Sequence, residues 1–267
     1  DIKMQENKKL GKLALVPFLT AGFPDIETSE ELAVAIIEAG ADMLELGVPF
    51  SDPLADGATV QLTSLQALER GVTLNTCLKI LDNVRNRGVN APLIFMGYLN
   101  PFIQYGFERF VLDASRLGLD GIIIPDLPVE EAAKYQDVCE KFNVHLIPLL
   151  TPTSTDSRIA LTCVRAKGFI YCVSIAGVTG DRRDLAPGLS KLVRNIRKHT
   201  DLPVLIGFGV STREHIEDIS GFADGAVVGS ALLNVIIDST EDNAIQPVKE
   251  FISRLLLEPD QSRGEDV

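Results

Sequence analysis

Residues 42–61 read DMLELGVPFSDPLADGATVQ. A short apolar run, DMLELG, carries a carboxylate, Glu45, between Leu44 and Leu46. It then breaks into a loop of Gly, Pro, Ser and Asp that holds Asp52 and Asp56. The run reads as a strand, and the alternation of side chains along a pleated strand puts Glu45 on the face opposite both leucines. A carboxylate at the end of an apolar strand costs free energy unless it is paired or used, so chemistry is sought here first.

Outward from this stretch the same rhythm recurs. Strands are expected at 13–24, 91–98, 120–126, 144–150, 168–173 and 202–209, with 223–232 a strand breaking into a helix. Helical patterns fall at 28–38, 59–69, 73–87, 106–117, 129–141, from Thr155 or Asp156 onward, 189–199, 212–220 and 243–257. The residues before 13 read as a short N-terminal helix or arm, and 258–267 as a frayed tail. The strands are mostly continuously apolar, as in a parallel sheet covered by helices. Eight strand–helix units in this length predict an α/β fold, a single (β/α)₈ TIM barrel over 1–267 with extended loops after the second and sixth strands. No GxGxxG follows the first strand, which removes the support for an open dinucleotide-binding sheet. In a barrel every strand's C-terminal end opens on one mouth, and Glu45 lies there.

The net charge of -12 over 267 residues argues against nucleic-acid binding, which needs a positive footprint. Cys77, Cys139, Cys163 and Cys172 are widely spaced without a CxxC pair, and the three histidines are scattered, so neither a disulfide framework nor a metal site is expected. No signal peptide or membrane-length apolar span is legible. A cytoplasmic location is expected. The sequence begins at Asp1, so the plastid stroma is the alternative if a transit segment was removed.

Three glycine-containing segments follow the sixth, seventh and eighth strands: Ala176-Gly177-Val178-Thr179-Gly180, Gly207-Phe208-Gly209-Val210-Ser211 and Gly229-Ser230. Glycine exposes bare backbone N–H groups and a helix N-terminus adds unpaired donors, which together suit a phosphate. The loop with Arg182 and Arg183 is long enough to serve as a lid. At the other end of the chemistry, an apolar setting raises Glu45 toward neutrality, which suits a group that both gives and takes a proton. Tyr98 and Tyr171 stand near other strand ends and could hold it. Asp52 and Asp56 divide loop-ordering and substrate contact between them, and residue chemistry alone does not choose which does which. Asp126 either acts at the fourth strand's mouth or braces its loop. Acid–base work on a phosphorylated small molecule is the expected chemistry: isomerisation, lyase cleavage or an aldol reaction.

The motifs ELGVPFSDPLADG, PDLPVEE, AGVTG, GFGVS and VGSAL, in this order, closely resemble the alpha subunits of tryptophan synthase, and the likeness runs from Phe18-Leu19-Thr20-Ala21-Gly22 to the final helix. The resemblance implies retro-aldol cleavage of indole-3-glycerol phosphate to indole and glyceraldehyde 3-phosphate. It implies Glu45 and Asp56 as the catalytic pair and Gly180, Gly209, Gly229 and Ser230 at the phosphate. Phe18, Tyr98, Leu149, Tyr171 and Phe208 would line the indole pocket, and Thr179 would secure the closing loop. Asp52, Ala58 and Asp126 would lie on surfaces that communicate with a beta subunit in an alpha2beta2 heterotetramer. That subunit would hold pyridoxal phosphate, and this chain would bind no cofactor or metal. Two positions depart from many bacterial relatives, which carry Arg at Ile175 and Pro at Ala58. They leave room for a stand-alone lyase that releases free indole. A silent barrel that only activates a partner would be marked by loss of Glu45 or Asp56, and both are present.

Overall fold

The structure is a computed structural model, and it describes residues 3, 4, 7, 11–173, 185–207, 209–239 and 243–256. Its strands are β1 (Ala14–Thr20), β2 (Leu44–Gly47), β3 (Leu93–Met96), β4 (Gly121–Ile123), β5 (His145–Ile147), β6 (Leu149–Leu150), β7 (Ile170–Val173), β8 (Val204–Gly207) and β9 (Gly225–Val228). Every pairing is parallel, in the order β5-β4-β3-β2-β1-β9-β8-β7-β6. The two ends of that order, β5 and β6, are separated in the chain only by Pro148, so the chain itself closes the ring. Proline has no N–H to place in a ladder, although the Pro148 carbonyl still accepts the Tyr171 N–H at 3.0 Å. The expected eight strands are thus eight positions in the ring, the fifth written as two pieces.

The helices are α1 (Ile26–Glu38), α2 (Ala58–Glu69), α3 (Leu74–Asn86), α4 (Leu99–Tyr105), α5 (Phe107–Arg116), α6 (Ala133–Lys141), α7 (Asp156–Arg165), α8 (Leu185–Ile196), α9 (Arg213–Ser220), α10 (Ser230–Asp238) and α11 (Ile245–Leu256). Several begin where a short polar side chain accepts an orphan N–H of the first turn. Asp25 accepts from Thr28, Thr155 from Arg158 and Thr212 from His215, while Thr73 and Thr76 form a reciprocal capping box. Two departures from the sequence reading trace to proline. Helix α4, which was not expected, contains a proline, Pro101. It sits in the first turn, where its missing N–H leaves no helical bond unmade. Gly106, at φ 93, then separates α4 from α5. Likewise α8 starts at Leu185 instead of residue 189, because Pro187 falls in its first turn. The tail at 258–267 and the loop at 174–184 lie outside the described residues.

Inside and around the ring, the apolar strand residues and the inner helix faces form one buried cluster that includes Leu15, Leu44, Leu93, Ile122, Ile170, Leu205 and Ala226. The N-terminal ends of the strands share a device. Asp42, Asp120 and Asp224 each accept a backbone N–H from the first or second residue of a neighbouring strand: Leu15, Leu93 and Val204, all at 2.9 Å. Each also faces a cation, Lys3 and Lys12 for Asp42, Arg85 for Asp120 and Arg197 for Asp224. Carboxylates at this end are therefore satisfied. The four cysteines are free and buried. No described helix is long and apolar enough to cross a membrane.

Asp42 is the most enclosed of the three acids, 1% exposed. Asp42→Ala orphans the Leu15 N–H inside the sheet, and we expect a loss of about 1–3 kcal/mol. A urea titration checks it by a lower midpoint at unchanged slope. Asp42→Asn keeps an acceptor and loses less.

Candidate active site

Glu45 stands in the middle of β2, paired in register with Phe18 on one side and Ile94 on the other. Leu44 and Leu46 are completely buried on the opposite face, so the apolar alternation of this strand drives Glu45 inward. The side chain is 1% exposed, and neither carboxyl oxygen has a hydrogen-bond partner among the described residues. Burial, with a further contribution from the charge of Asp56, pushes its pKa up to about 8. At neutral pH it is a carboxylic acid held in an apolar wall.

Asp56 reaches the same space from the loop between β2 and α2. Burial raises its pKa to about 6, and a hydrogen bond from the Tyr98 hydroxyl opposes that rise. Tyr98 is buried at the end of β3, just before α4. Its hydroxyl also accepts the Ala55 N–H at 2.8 Å, and its ring stacks on Phe50 with centroids 5.1 Å apart. Burial and the neighbouring carboxylates Asp56 and Asp126 push the phenol up to about 12. The two acids thus stand in unlike settings, one without a partner and one with a donor. That pulls their pKa values apart, which is the usual sign of an acid and a base with separate tasks. The loop runs straight into α2, and α2 is pinned to the barrel. The Thr63 hydroxyl donates to the Val60 carbonyl at 3.1 Å and accepts from Thr20 of β1 at 2.7 Å, both threonines fully buried.

The walls use one packing device twice. Phe18 pairs with Glu45, and its ring lies over Gly47, two residues further along β2. Tyr171 pairs with Leu205, and its ring lies over Gly207, two residues further along β8. A Cβ would come to 2.4 Å from the Phe18 ring at Gly47 and to 2.4 Å from the Tyr171 hydroxyl at Gly207. Each glycine is therefore the space in which an aromatic side chain leans across the mouth. Tyr171 is buried, and desolvation, then the charges of Glu45 and Asp56, hold its phenol well above its ordinary value. It faces both acids without bonding Glu45, whose oxygens are free of described partners.

Across the ring, Gly229 precedes α10 and Ser230 opens it, with no side chain capping that N-terminus. First-turn N–H groups with no side-chain partner are what an anion needs. Gly209 lies at φ 45, in the left-handed region, and is exposed.

The structure therefore gathers Phe18, Glu45, Asp56, Tyr98 and Tyr171 around one space. Leu149 pairs in register with Tyr171 and is half-buried, bordering a cavity of about 40 Å³ against Leu127, Ala132 and Gln136. Thr179, Gly180 and Phe208 lie outside the described residues, as does Ile175. Asp52 is exposed and accepts from the Ser51 hydroxyl. Ala58 is the exposed first residue of α2, a position that would also accept proline. Asp126 braces a loop, its Oδ1 accepting the Leu99 N–H at 2.9 Å. The expectation that Tyr98 or Tyr171 could hold Glu45 is not met, because the Tyr98 hydroxyl is engaged by Asp56 and Ala55. Sequence reasoning missed Phe50, the Thr20–Thr63 pair and the Ala55 N–H. A backbone donor carries no residue signal. Phe50 was visible only as one more apolar residue beside a proline-rich loop.

Comparisons with known proteins agree with this geometry. The family described as "Tryptophan synthase alpha chain" matches residues 4–256. The tryptophan synthase alpha chain of Roseiflexus castenholzii is 48% identical over 246 residues, covering 92% of this chain and 94% of that protein. The tryptophan synthase of Saccharomyces cerevisiae is 43% identical over 250 residues, 93% of this chain and 35% of that much longer one. Among solved structures, the tryptophan synthase alpha subunit of Legionella pneumophila superposes with a TM-score of 0.88 at 35% identity, covering 96% of this chain and 95% of that one.

The burial of Glu45 has a measurable cost. Unfolded, the carboxyl ionises near 4.5, and in the fold it keeps its proton to about 8. Between those values the folded state binds the extra proton, so stability falls as pH rises through the window, by up to about 1.4 kcal/mol per unit. Glu45→Gln is neutral throughout and lacks this slope. Its urea midpoint should match the parent's near pH 4.5 and exceed it at pH 8. Asp56 adds a smaller slope of the same sign in both proteins, between 3.8 and about 6.

Proposed function

The chain belongs to the tryptophan synthase alpha chain family, and we propose how its mouth residues cleave indole-3-glycerol phosphate to indole and glyceraldehyde 3-phosphate. The enzyme is a carbon–carbon lyase of tryptophan biosynthesis. The observation that carries the assignment of roles is the contrast between Glu45, buried with both oxygens unpartnered, and Asp56, held by Tyr98.

At neutral pH Glu45 starts protonated and Asp56 ionised. Glu45 gives its proton to the indole ring carbon that bears the glycerol chain, which turns the ring into an indoleninium cation. The Glu45 carboxylate then takes the proton of the hydroxyl on the adjacent side-chain carbon. As that O–H breaks, the C–O bond becomes a carbonyl, the carbon–carbon bond to the ring breaks, and its electrons restore the indole. Atoms and charge balance, and Glu45 ends protonated as it began. Asp56 binds the indole N–H and stabilises the positive charge where it develops, an electrostatic contribution made mainly in the transition state. The protonated ring is its own electron sink, so the step needs no cofactor in this chain.

We assign the aromatic walls, Phe18, Tyr98 and Tyr171 with Leu149 and Phe208, to the indole ring. The phosphate goes to Gly180, Gly209, Gly229 and Ser230, with the open α10 N-terminus as support. Thr179 would secure the closing loop over bound substrate. The family implies a beta subunit as partner. We propose an alpha2beta2 assembly in which that subunit holds pyridoxal phosphate and receives the indole, and a cytoplasmic location. The partner's seat is read at the acidic loop, with Asp52, Ala58 and Asp126 at its edges. There Leu54 is 94% exposed, and a groove of about 350 Å³ runs between Phe50, Pro53, Leu62 and Leu65. The chain is taken as one catalytic domain, in keeping with its continuous core.

Two measurements test this reading. Turnover of indole-3-glycerol phosphate should follow a bell against pH, rising as Asp56 ionises near 6 and falling as Glu45 loses its proton near 8. Asp56→Asn should keep the melting temperature and lose turnover by on the order of a hundredfold. Full activity in that variant removes the role. Addition of a beta subunit should raise turnover, whereas a stand-alone lyase would already be fast without it.

A further inference from the structure

Tyr98 grips the acidic loop at both ends. Its ring stacks on Phe50 at the loop's start, and at the loop's finish its hydroxyl accepts the Ala55 N–H at 2.8 Å, one residue from Asp56. A phenol that accepts with a lone pair keeps its own proton to offer, and Tyr98 lowers the Asp56 pKa against the effect of burial. The other bonds of the segment are its own turns, Leu54 N–H to Asp52 O at 2.9 Å and Asp56 N–H to Pro53 O at 3.0 Å, and the Gln61 amide of α2 reaching Asp56 O at 2.9 Å. Through Gln61 they tie the loop to α2, and none of them reaches the loop of another strand. Among the described residues, the hydroxyl of Tyr98 alone hydrogen-bonds residues 51–56 to the loop of another strand. Tyr98 is itself fixed from the far side. It immediately precedes α4, whose first residue, Leu99, donates its N–H to Asp126 in the loop after β4.

We propose that Tyr98 is the positioning residue of the acidic loop: its hydroxyl sets where the Asp56 carboxylate stands, and Asp126 sets where Tyr98 stands. The phenol then does more than wall the pocket, and a line of contacts from Asp126 through Leu99 and Tyr98 reaches Ala55 and Asp56. This rests on the assignment of Asp56 made above. The charged and titratable groups facing Asp56 are Glu45 of β2, Tyr171 of β7 and Tyr98. Of these, Tyr98 is the donor that favours the ionised form. Without its hydroxyl, Asp56 ionises at higher pH and the Ala55 N–H loses its acceptor.

The test compares Tyr98→Phe, Phe50→Leu, Asp126→Ala and Asp56→Asn with the parent chain, assaying indole-3-glycerol phosphate cleavage across pH. Tyr98→Phe should lower kcat by about tenfold or more with KM little changed, since orientation and not substrate affinity is lost. Its acid limb should move up by about half a pH unit or more. A role in packing alone would leave that limb in place. Phe50→Leu removes the ring contact and keeps the hydroxyl, so its acid limb should stay with the parent's. Asp126→Ala should move kcat and the acid limb in the same direction as Tyr98→Phe, by less. If Tyr98→Phe does not fold, Asp126→Ala alone decides, and a parent-like kcat and limb there overturn the proposal. A folded Tyr98→Phe with parent-like kcat and limb overturns it too. Full activity in Asp56→Asn would instead overturn the assignment of Asp56 itself.

Discussion

A carboxyl group buried without a described partner costs free energy, and the mouth is arranged around it. Glu45 sits in a strand whose other face is sealed by Leu44 and Leu46, both fully buried. It cannot rotate to water without breaking the β2 register with Phe18 and Ile94. Nor does a described side chain offer it a proton donor. The remaining way to lower the cost is to keep the proton, and a neutral acid at physiological pH is what protonation of a ring carbon requires. On the proposed roles, the stability lost at this position and the chemistry gained from it share one physical cause.

Its neighbour shows how little structure is needed to reverse that outcome. Asp56 is also desolvated, yet one phenolic hydroxyl pulls its pKa back toward the acid range. Without a donor Asp56 would ionise at higher pH, and the contrast between the two acids would narrow. Had both been well bonded, neither would carry a proton to give. The aromatic residues serve this division as well as lining space. Tyr171 faces both acids and adds no donor to Glu45, while Tyr98 bonds one acid only. The glycines at 47 and 207 let Phe18 and Tyr171 lean inward without backbone displacement.

The legible parts of the sequence were those governed by period and punctuation. Continuous apolar runs and capping residues located the barrel, and alternation around Glu45 fixed the face it shows. Proline hid two helix starts and split one strand at Pro148, since its meaning depends on whether a backbone N–H is needed at that point. The choice between Asp52 and Asp56 was beyond residue chemistry. It depends on Tyr98, more than forty positions away by sequence number, whose hydroxyl reaches Ala55 and Asp56 only once β2 and β3 are paired. The resemblance to a family made that choice; the fold supplies a physical reason for it. The Ala55 N–H and the Thr20–Thr63 contact belong to the same class, being products of the closed ring with no local signature.

The opposite end of the barrel makes the argument sharper. There Asp42, Asp120 and Asp224 each receive a strand N–H and face a cation. Asp42 is as deeply buried as Glu45, both 1% exposed. Burial alone therefore does not distinguish an acid that holds the fold together from one that reacts. Partners do. A carboxylate given two or more donors ties strands to one another, whereas Glu45, denied them, keeps its proton to higher pH. The same residue type, at the same depth, takes opposite roles at the two ends of one sheet. The difference is the supply of donors: at the bottom a strand N–H and a cation meet each acid, and at the mouth no described donor bonds Glu45.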